Sequence, residues 1–264
     1  MNKFARALGV SVLAASILSA CGAENSTMSS SNQSNNENES QEVKNDTSAK
    51  EEDTNEQKEA EANIEVTSET FGSWEDSIGS IYASYSAEVT NTGDKPAEIG
   101  DIQVNLEGDD GSIIGTIPMV MATPDIIMPG ETAYLGETTL LEGASSADEI
   151  KTANSNIDFS STDEEPMMLE TDKVKLKEGD VEYGTPYIVT GTVINPNEEK
   201  ADDIRIAAGL YDENGKFLGA LNGSIQVSLN PDGKAGFELS YPELPKDIAG
   251  KATEVKVKAY NWSF

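Results

Sequence analysis

The chain has no histidine, a single cysteine (Cys21), two tryptophans, and 18 basic side chains against 48 acidic ones. Each shortage closes off a class of chemistry. Without imidazole, the usual general base, proton shuttle and zinc ligand are missing. No Ser-His-Asp or Cys-His site can be assembled, and no typical zinc or copper site. One cysteine allows no internal disulfide, so whatever folds is held by core packing alone. The formal net charge of −30 opposes nucleic acid and anionic lipid surfaces, which select basic proteins. It suits cations, basic partners or plain solubility. No P-loop, G-x-G-x-x-G, G-x-S-x-G, Asp-Thr-Gly or Asp-Ser-Gly occurs, and each of these marks a known phosphate-binding or catalytic geometry. The expectation is a non-enzyme with no catalytic residues, no cofactor-binding residues and no metal ligands.

The positive signals begin at the N-terminus. Residues 1–20 carry Lys3 and Arg6, an apolar run from Ala7 to Leu18, then Ser19 and Ala20 before Cys21. This is the basic, apolar, small-residue order of a secretory signal peptide, and the run is short for a membrane span. Leu18-Ser19-Ala20-Cys21 also resembles the lipobox of bacterial lipoproteins. That resemblance implies lipidation of Cys21, which becomes the first mature residue. Two acyl chains hold a protein stably where one is marginal. The expected location is the extracellular face of a cell membrane, in a bacterium with a single membrane and a thick wall.

Residues 21–63 form an acidic tether. Between Gly22 and Ala62 there are 11 acidic and 3 basic side chains and almost no large apolar ones. Such a segment buries too little apolar surface to offset its ordering entropy, so disorder is expected. As a flexible coil it reaches roughly 35–40 Å, enough to hold a folded part off the membrane.

Past Asn63 short alternating apolar runs are separated by Gly, Pro, Asn and Asp clusters, the pattern of an all-β sandwich. In the C-terminal part, strands are predicted near 186–195, 203–212, 216–228, 234–241 and 252–262. Tyr187, Val189, Gly191 and Val193 share one face, as do Ile204, Ile206, Ala208 and Leu210. Val255-Lys256-Val257-Lys258-Ala259 alternates apolar in and lysine out, as a half-buried strand does. Asp212-Glu213-Asn214-Gly215 reads as a hairpin turn, with Asn214-Gly215 supplying positive φ at low cost.

A second copy lies 104 residues upstream. Tyr85–Gly115 aligns without gaps on Val189–Gly219, with seven identities in 31 positions. They are Val89/Val193, Asn91/Asn195, Ala97/Ala201, Ile102/Ile206, Leu106/Leu210, Gly111/Gly215 and Gly115/Gly219, all at inward strand positions or turns. After a two-residue difference, Pro129-Gly130 answers Pro231-Asp232-Gly233. The reading is an internal duplication: a β-sandwich over 64–165 and another over 166–264.

Tyr187–Gly219 resembles the FxLYD domain of bacterial surface lipoproteins. The residues that carry the resemblance are Gly191-Thr192-Val193-Ile194-Asn195, Ala208-Gly209-Leu210-Tyr211-Asp212, the Gly215/Gly219 pair and Leu229-Asn230-Pro231. Ala208 stands where the motif opens on an aromatic, and in the first copy the motif decays to Val104-Asn105-Leu106-Glu107-Gly108. The resemblance implies an immunoglobulin-like fold and a cell-envelope setting, and it brings no activity. The expected fold is therefore all-β, two tandem immunoglobulin-like β-sandwiches behind a lipoprotein signal and a disordered acidic tether.

Asp109-Asp110-Gly111 and Asp212–Gly215 are fragments of a calcium-loop pattern. Both lack the spaced oxygens and terminal bidentate Glu of a full loop, so turns are expected and weak Ca²⁺ binding is not favoured. Asp163-Glu164-Glu165 reads as solvated linker. Ile113–Met128 is read as a core strand followed by a crossing loop, with partner docking through its methionines as the alternative. Phe71-Gly72-Ser73-Trp74 is read as a packing corner that offers a possible contact. Residues 64–166 hold 21 acids and 2 lysines, against 16 acids and 11 basic residues over 167–264. The first sandwich is thus the expected place for a cation or basic partner. The functional expectation is a membrane-anchored surface protein that binds or scaffolds an envelope protein or wall polymer. The alternative is a ligand- or cation-binding receptor component of a transport or signalling system.

Overall fold

Alternation of apolar and polar residues, cut by Gly, Pro and Asx turns, drives this chain into strands. In the computed structural model, residues 60–262 are described; the expected signal segment, Cys21 and most of the expected tether lie outside the described residues. The protein is all-β, built as two sandwiches of antiparallel sheets.

The first sandwich has β1 (Ile64–Glu75), β2 (Ile81–Asn91), β3 (Ala97–Glu107), β4 (Ile113–Ile117), β5 (Ala122–Thr123), β6 (Ile126–Ile127), β7 (Thr132–Leu140) and β8 (Thr152–Ser161). One layer runs β1-β2-β7-β5. In the other, β8 occupies one edge of β3 along its length, and β4 and β6 share the opposite edge. The core between the layers holds Tyr85, Val89, Val104, Leu106, Ile117, Ile127 and Leu135.

The second sandwich has β9 (Met167–Asp180), β10 (Thr185–Ile194), β11 (Ile204–Tyr211), β12 (Phe217–Ile225), β13 (Lys234–Leu239) and β14 (Glu254–Asn261). Its strand order is β12-β11-β14-β9-β10-β13. Residues 167–169 of β9 pair with β14, and the remainder pairs with β10. This one strand therefore passes from one layer to the other. The arrangement is compatible with the immunoglobulin-like type. Tyr187, Val189, Val193, Ile204, Ile206, Leu210, Leu221 and Leu244 fill the core, and the Tyr187 hydroxyl donates to the Ile248 carbonyl at 2.8 Å.

The two sandwiches repeat the same hydrogen bonds at the spacing of the sequence repeat. Asn91 is fully buried; its Nδ2 donates to the carbonyls of Lys95 and Ile127, and its Oδ1 accepts from Gly93 N–H. Asn195, equally buried, donates to Glu199 and Leu229 and accepts from Asn197 N–H. Gly130 N–H donates to the Asn91 carbonyl as Asp232 N–H does to that of Asn195, both at 2.8 Å. Each asparagine pins the end of β2 or β10 to the loop crossing beside it.

Four sequence expectations need correction. Met167–Asp180 was not among the predicted strands, yet it is the longest strand described, at 14 residues. Its Lys173, Lys175 and Lys177 hide the apolar alternation of Val174 and Leu176. Phe71–Trp74 is no corner but lies inside β1. Residues 61–63, assigned to the tether, extend the pairing of β1, with Thr92 N–H donating to the Asn63 carbonyl and Asp94 N–H to that of Glu61. Lys256 and Lys258 point away from their own core as expected, but Lys258 pairs with Glu131 of the other sandwich and Lys256 lies over the Tyr211 ring of its own, so neither simply faces solvent.

Candidate functional site

The outward face of a sandwich strand normally carries polar residues. β11 breaks that rule: besides its inward Ile204, Ile206, Ala208 and Leu210, its outward Ala207, Gly209 and Tyr211 are buried as well. On β2 the outward Ser84 and Ser86 are buried too. Both observations have one cause. The β1-β2-β7-β5 layer of the first sandwich packs face to face on the β12-β11-β14 side of the second.

A third core sits in this seam, made of Tyr134, Ala207, Tyr211, Phe217 and Ala220. The Tyr134 and Phe217 rings stack at 6.4 Å, and Tyr211 meets Phe217 edge-on at 5.7 Å. The Tyr134 and Tyr211 hydroxyls are 2.9 Å apart, and Tyr211 donates to the Glu88 carboxylate. A carboxylate only accepts, so Tyr211 gives its proton to Glu88 and receives that of Tyr134. Burial pushes the Tyr134 phenol up to about 12, and the Glu88 charge adds to the rise. Tyr211 rises as well, first from burial and then because its proton is held by Glu88. Lys256 lies 4.4 Å over the Tyr211 ring, a cation–π contact that covers the edge of the cluster.

Small residues allow this approach. A Cβ on Gly209 would lie 2.5 Å from the Tyr134 ring, and one on Gly136 would lie 2.8 Å from the Ala220 carbonyl oxygen. Around the seam, Thr138 Oγ1 donates to the Glu243 carbonyl at 2.6 Å and Asn222 Nδ2 to that of Gly136 at 2.6 Å. Lys258 pairs with Glu131 at 3.4 Å.

Two openings on the seam combine charged and aromatic groups. The first, a cavity of about 230 Å³, is lined by Met119, Met121, Thr123, Gly136, Glu137, Arg205, Asn222, Gly223, Ser224 and Tyr260. Its charges are committed internally. Arg205 forms a fork to both Asp203 oxygens at 2.9 and 3.1 Å and lies 4.5 Å over the Trp262 ring. Glu137 accepts from Thr138 N–H and from the Tyr241 hydroxyl, and burial raises its carboxyl above the usual range. The fully buried Tyr260 hydroxyl has no partner at bonding geometry, although the Asp125 backbone amide faces it.

The second opening is about 510 Å³ and is lined by Trp74, Asp76, Ser77 and Tyr82 from the first sandwich and Glu182, Tyr183, Gly184, Glu243 and Lys246 from the second. Trp74 and Tyr82 are cross-strand partners on β1 and β2, with rings 6.0 Å apart and 14° from parallel. Tyr183 is 76% exposed on a one-turn 3-10 helix.

The residues singled out from sequence are scattered. Asp110 and Asp212 sit in hairpin turns, where their carboxylates accept backbone N–H groups of Ser112, and of Asn214 and Lys216. The Ser112 hydroxyl and amide hold Asp110 below the usual carboxylate range, and the Lys216 amide does so for Asp212. Asp163 pairs with Lys95 at 3.1 Å. Ile113–Met128 crosses between layers as β4, β5 and β6, burying Ile117, Val120 and Ile127 while leaving Met119 83% exposed beside the first opening. Trp74 alone among them joins the second opening. The sequence reading missed Tyr82, Tyr134, Tyr183 and Arg205. The signal for the seam was the run of small residues at outward positions: Ser84, Ser86, Gly136, Ala207, Gly209 and Ala220.

Among the described residues no three His, Cys, Asp or Glu side chains converge to hold a metal ion, and no helix is long and apolar enough to cross a membrane. No protein-family model matches the chain, and no curated protein matches it either.

Proposed function

We propose that this protein is a non-catalytic, lipid-anchored surface protein whose paired sandwiches form one rigid module that binds an envelope protein or wall polymer. The observation that carries the reading is the third core. Two domains that only shared a linker would not bury Tyr134, Tyr211 and Phe217 against each other; burial of such aromatics fixes one relative orientation. A fixed orientation gives the module clefts that neither sandwich has alone, and interfaces between domains are a preferred place for ligands. The same clefts favour the receptor-component alternative over a passive spacer. The anchor follows from the signal-like segment before Cys21 and the acidic tether behind it.

Crosslinking on intact cells followed by identification of the captured species tests the binding reading. Capture that is lost when the seam is opened supports it, and capture no better than background refutes it. For the anchor, Cys21→Ala is expected to release the protein into the medium; full membrane retention would refute lipid anchoring.

A further inference from the structure

The two openings differ in one physical respect. Around Arg205 the basic group has its counter-charge in Asp203, and Glu137 is taken up by the Thr138 amide and the Tyr241 hydroxyl. Around Trp74 there are three acids to one basic residue, Lys246, and among the described residues Asp76, Glu182 and Glu243 form no ion pair within 4 Å. Beside these acids are three aromatic rings. The face of an aromatic ring carries negative potential and attracts a cation that is large enough to shed water cheaply. We propose that this cleft binds an organic ammonium group, deepening the binding-module reading on which it rests.

The parts are held in place before any ligand arrives. Trp74 and Tyr82 stand on paired strands and support each other. Tyr183 projects from the 3-10 turn over Val181–Tyr183, fixed by the bond from Glu182 N–H to Asp180 Oδ1 at 3.0 Å and closed by Gly184 at φ 69°. Asp76 keeps its shape through bonds from Ile78 and Ser80 N–H at 2.9 and 2.8 Å. Glu243 is half-buried, and its main chain is tied to Thr138 across the seam. A bare divalent ion needs several convergent oxygens, and the acids do not converge to that extent. A neutral sugar could use the Trp74, Ser77, Tyr82, Tyr183 and Lys246 donors but would bring no positive charge to a lining of three acids and one lysine. An alkylammonium matches both the acids and the rings, and a cavity of about 510 Å³ admits several heavy atoms of the chain that carries it.

The test titrates the full-length protein with N-acetyl-lysine methylamide and with choline, and follows Trp74 by fluorescence and calorimetric heat. The neutral N-acetyl-norleucine methylamide and N-acetylglucosamine serve as controls. Either ammonium is expected to bind with millimolar affinity. Tighter binding of the lysine amide assigns the group to a peptide, and tighter binding of choline assigns it to a quaternary ammonium. Tyr183→Ala and the pair Glu182→Gln/Glu243→Gln are each expected to weaken binding about tenfold. Tyr183 and Glu182 are exposed, so the variants should fold, as circular dichroism would verify. Equal binding of the neutral controls, or no response to either ammonium, overturns the proposal. Cell-surface capture that persists in Tyr183→Ala would leave the binding-module reading standing while this cleft assignment fails.

Discussion

Gly209→Ala asks whether the sandwiches are joined, and the two possible answers have opposite signs. Gly209 lies inside β11 without positive φ, so its backbone accepts any residue. In a sandwich that stood alone, adding a methyl there would remove chain entropy and stabilise by roughly 0.5–1 kcal/mol. In the joined molecule the new Cβ meets two Tyr134 ring atoms at 2.5 and 2.7 Å and the Tyr134 hydroxyl oxygen at 3.0 Å. The ring must move, and Tyr134 is stacked on Phe217 and bonded to Tyr211. Overpacking of this kind costs about 1–3 kcal/mol, and a weakened aromatic pair about 0.5–1.5 kcal/mol more. The expected net loss is about 2 kcal/mol, or about 4–8 °C in Tm for a protein of this size. Urea unfolding read by far-UV circular dichroism and tyrosine absorbance should show a lower midpoint, with the single transition splitting as the sandwiches uncouple. A raised midpoint with one transition would refute the joined seam.

Further predictions concern the same contacts. Ser86 Oγ is buried without a partner, so Ser86→Ala should raise stability by up to about 1 kcal/mol; a loss above that would mean the hydroxyl is bonded. Asn91→Ala and Asn195→Ala each strand one buried carbonyl, that of Ile127 or Leu229, and should each cost about 1–3 kcal/mol; additivity in the double variant would show that the two sites act independently. The Tyr134 phenol is raised from 10 to about 12 when folded, so the native state holds the proton longer. Its contribution is intact below pH 10 and is lost as pH rises toward about 12, which tyrosinate absorbance during alkaline unfolding would follow. Glu137 is also raised, by burial, so its charged form opposes folding. Stability from this group should rise as pH falls from neutral toward the carboxylate range, and Glu137→Gln should flatten that dependence in urea titrations.

Most of the scaffold was readable because strands have a period of two and the copies agree at Asn91/Asn195 and Gly111/Gly215, where backbone geometry restricts the choice. β9 was missed because its lysines mimic a solvated run. The seam was unreadable for a different reason: packing between sandwiches leaves no periodic trace. It appears only as the replacement of outward polar residues by Ala207, Gly209 and Tyr211 in β11, while the matching positions of β3 keep Gln103, Asn105 and Glu107. The small size of Ala207 and Gly209 permits contact without naming the partner face. Tyr82 and Tyr183 are far apart in sequence, and nothing local announces that they line one cleft.

The seam joins unlike faces: the β1-β2-β7-β5 layer of one copy against the β12-β11-β14 side of the other. Such a head-to-tail contact does not close on itself, and repeated with matching faces it would generate an open-ended stack. This molecule leaves one face of each kind uncovered. The face on β3 presents Asp101 and Gln103, and the layer containing β9 presents Lys175 and Lys177, all exposed. Polar ends terminate repeat arrays, and both uncovered faces have that character.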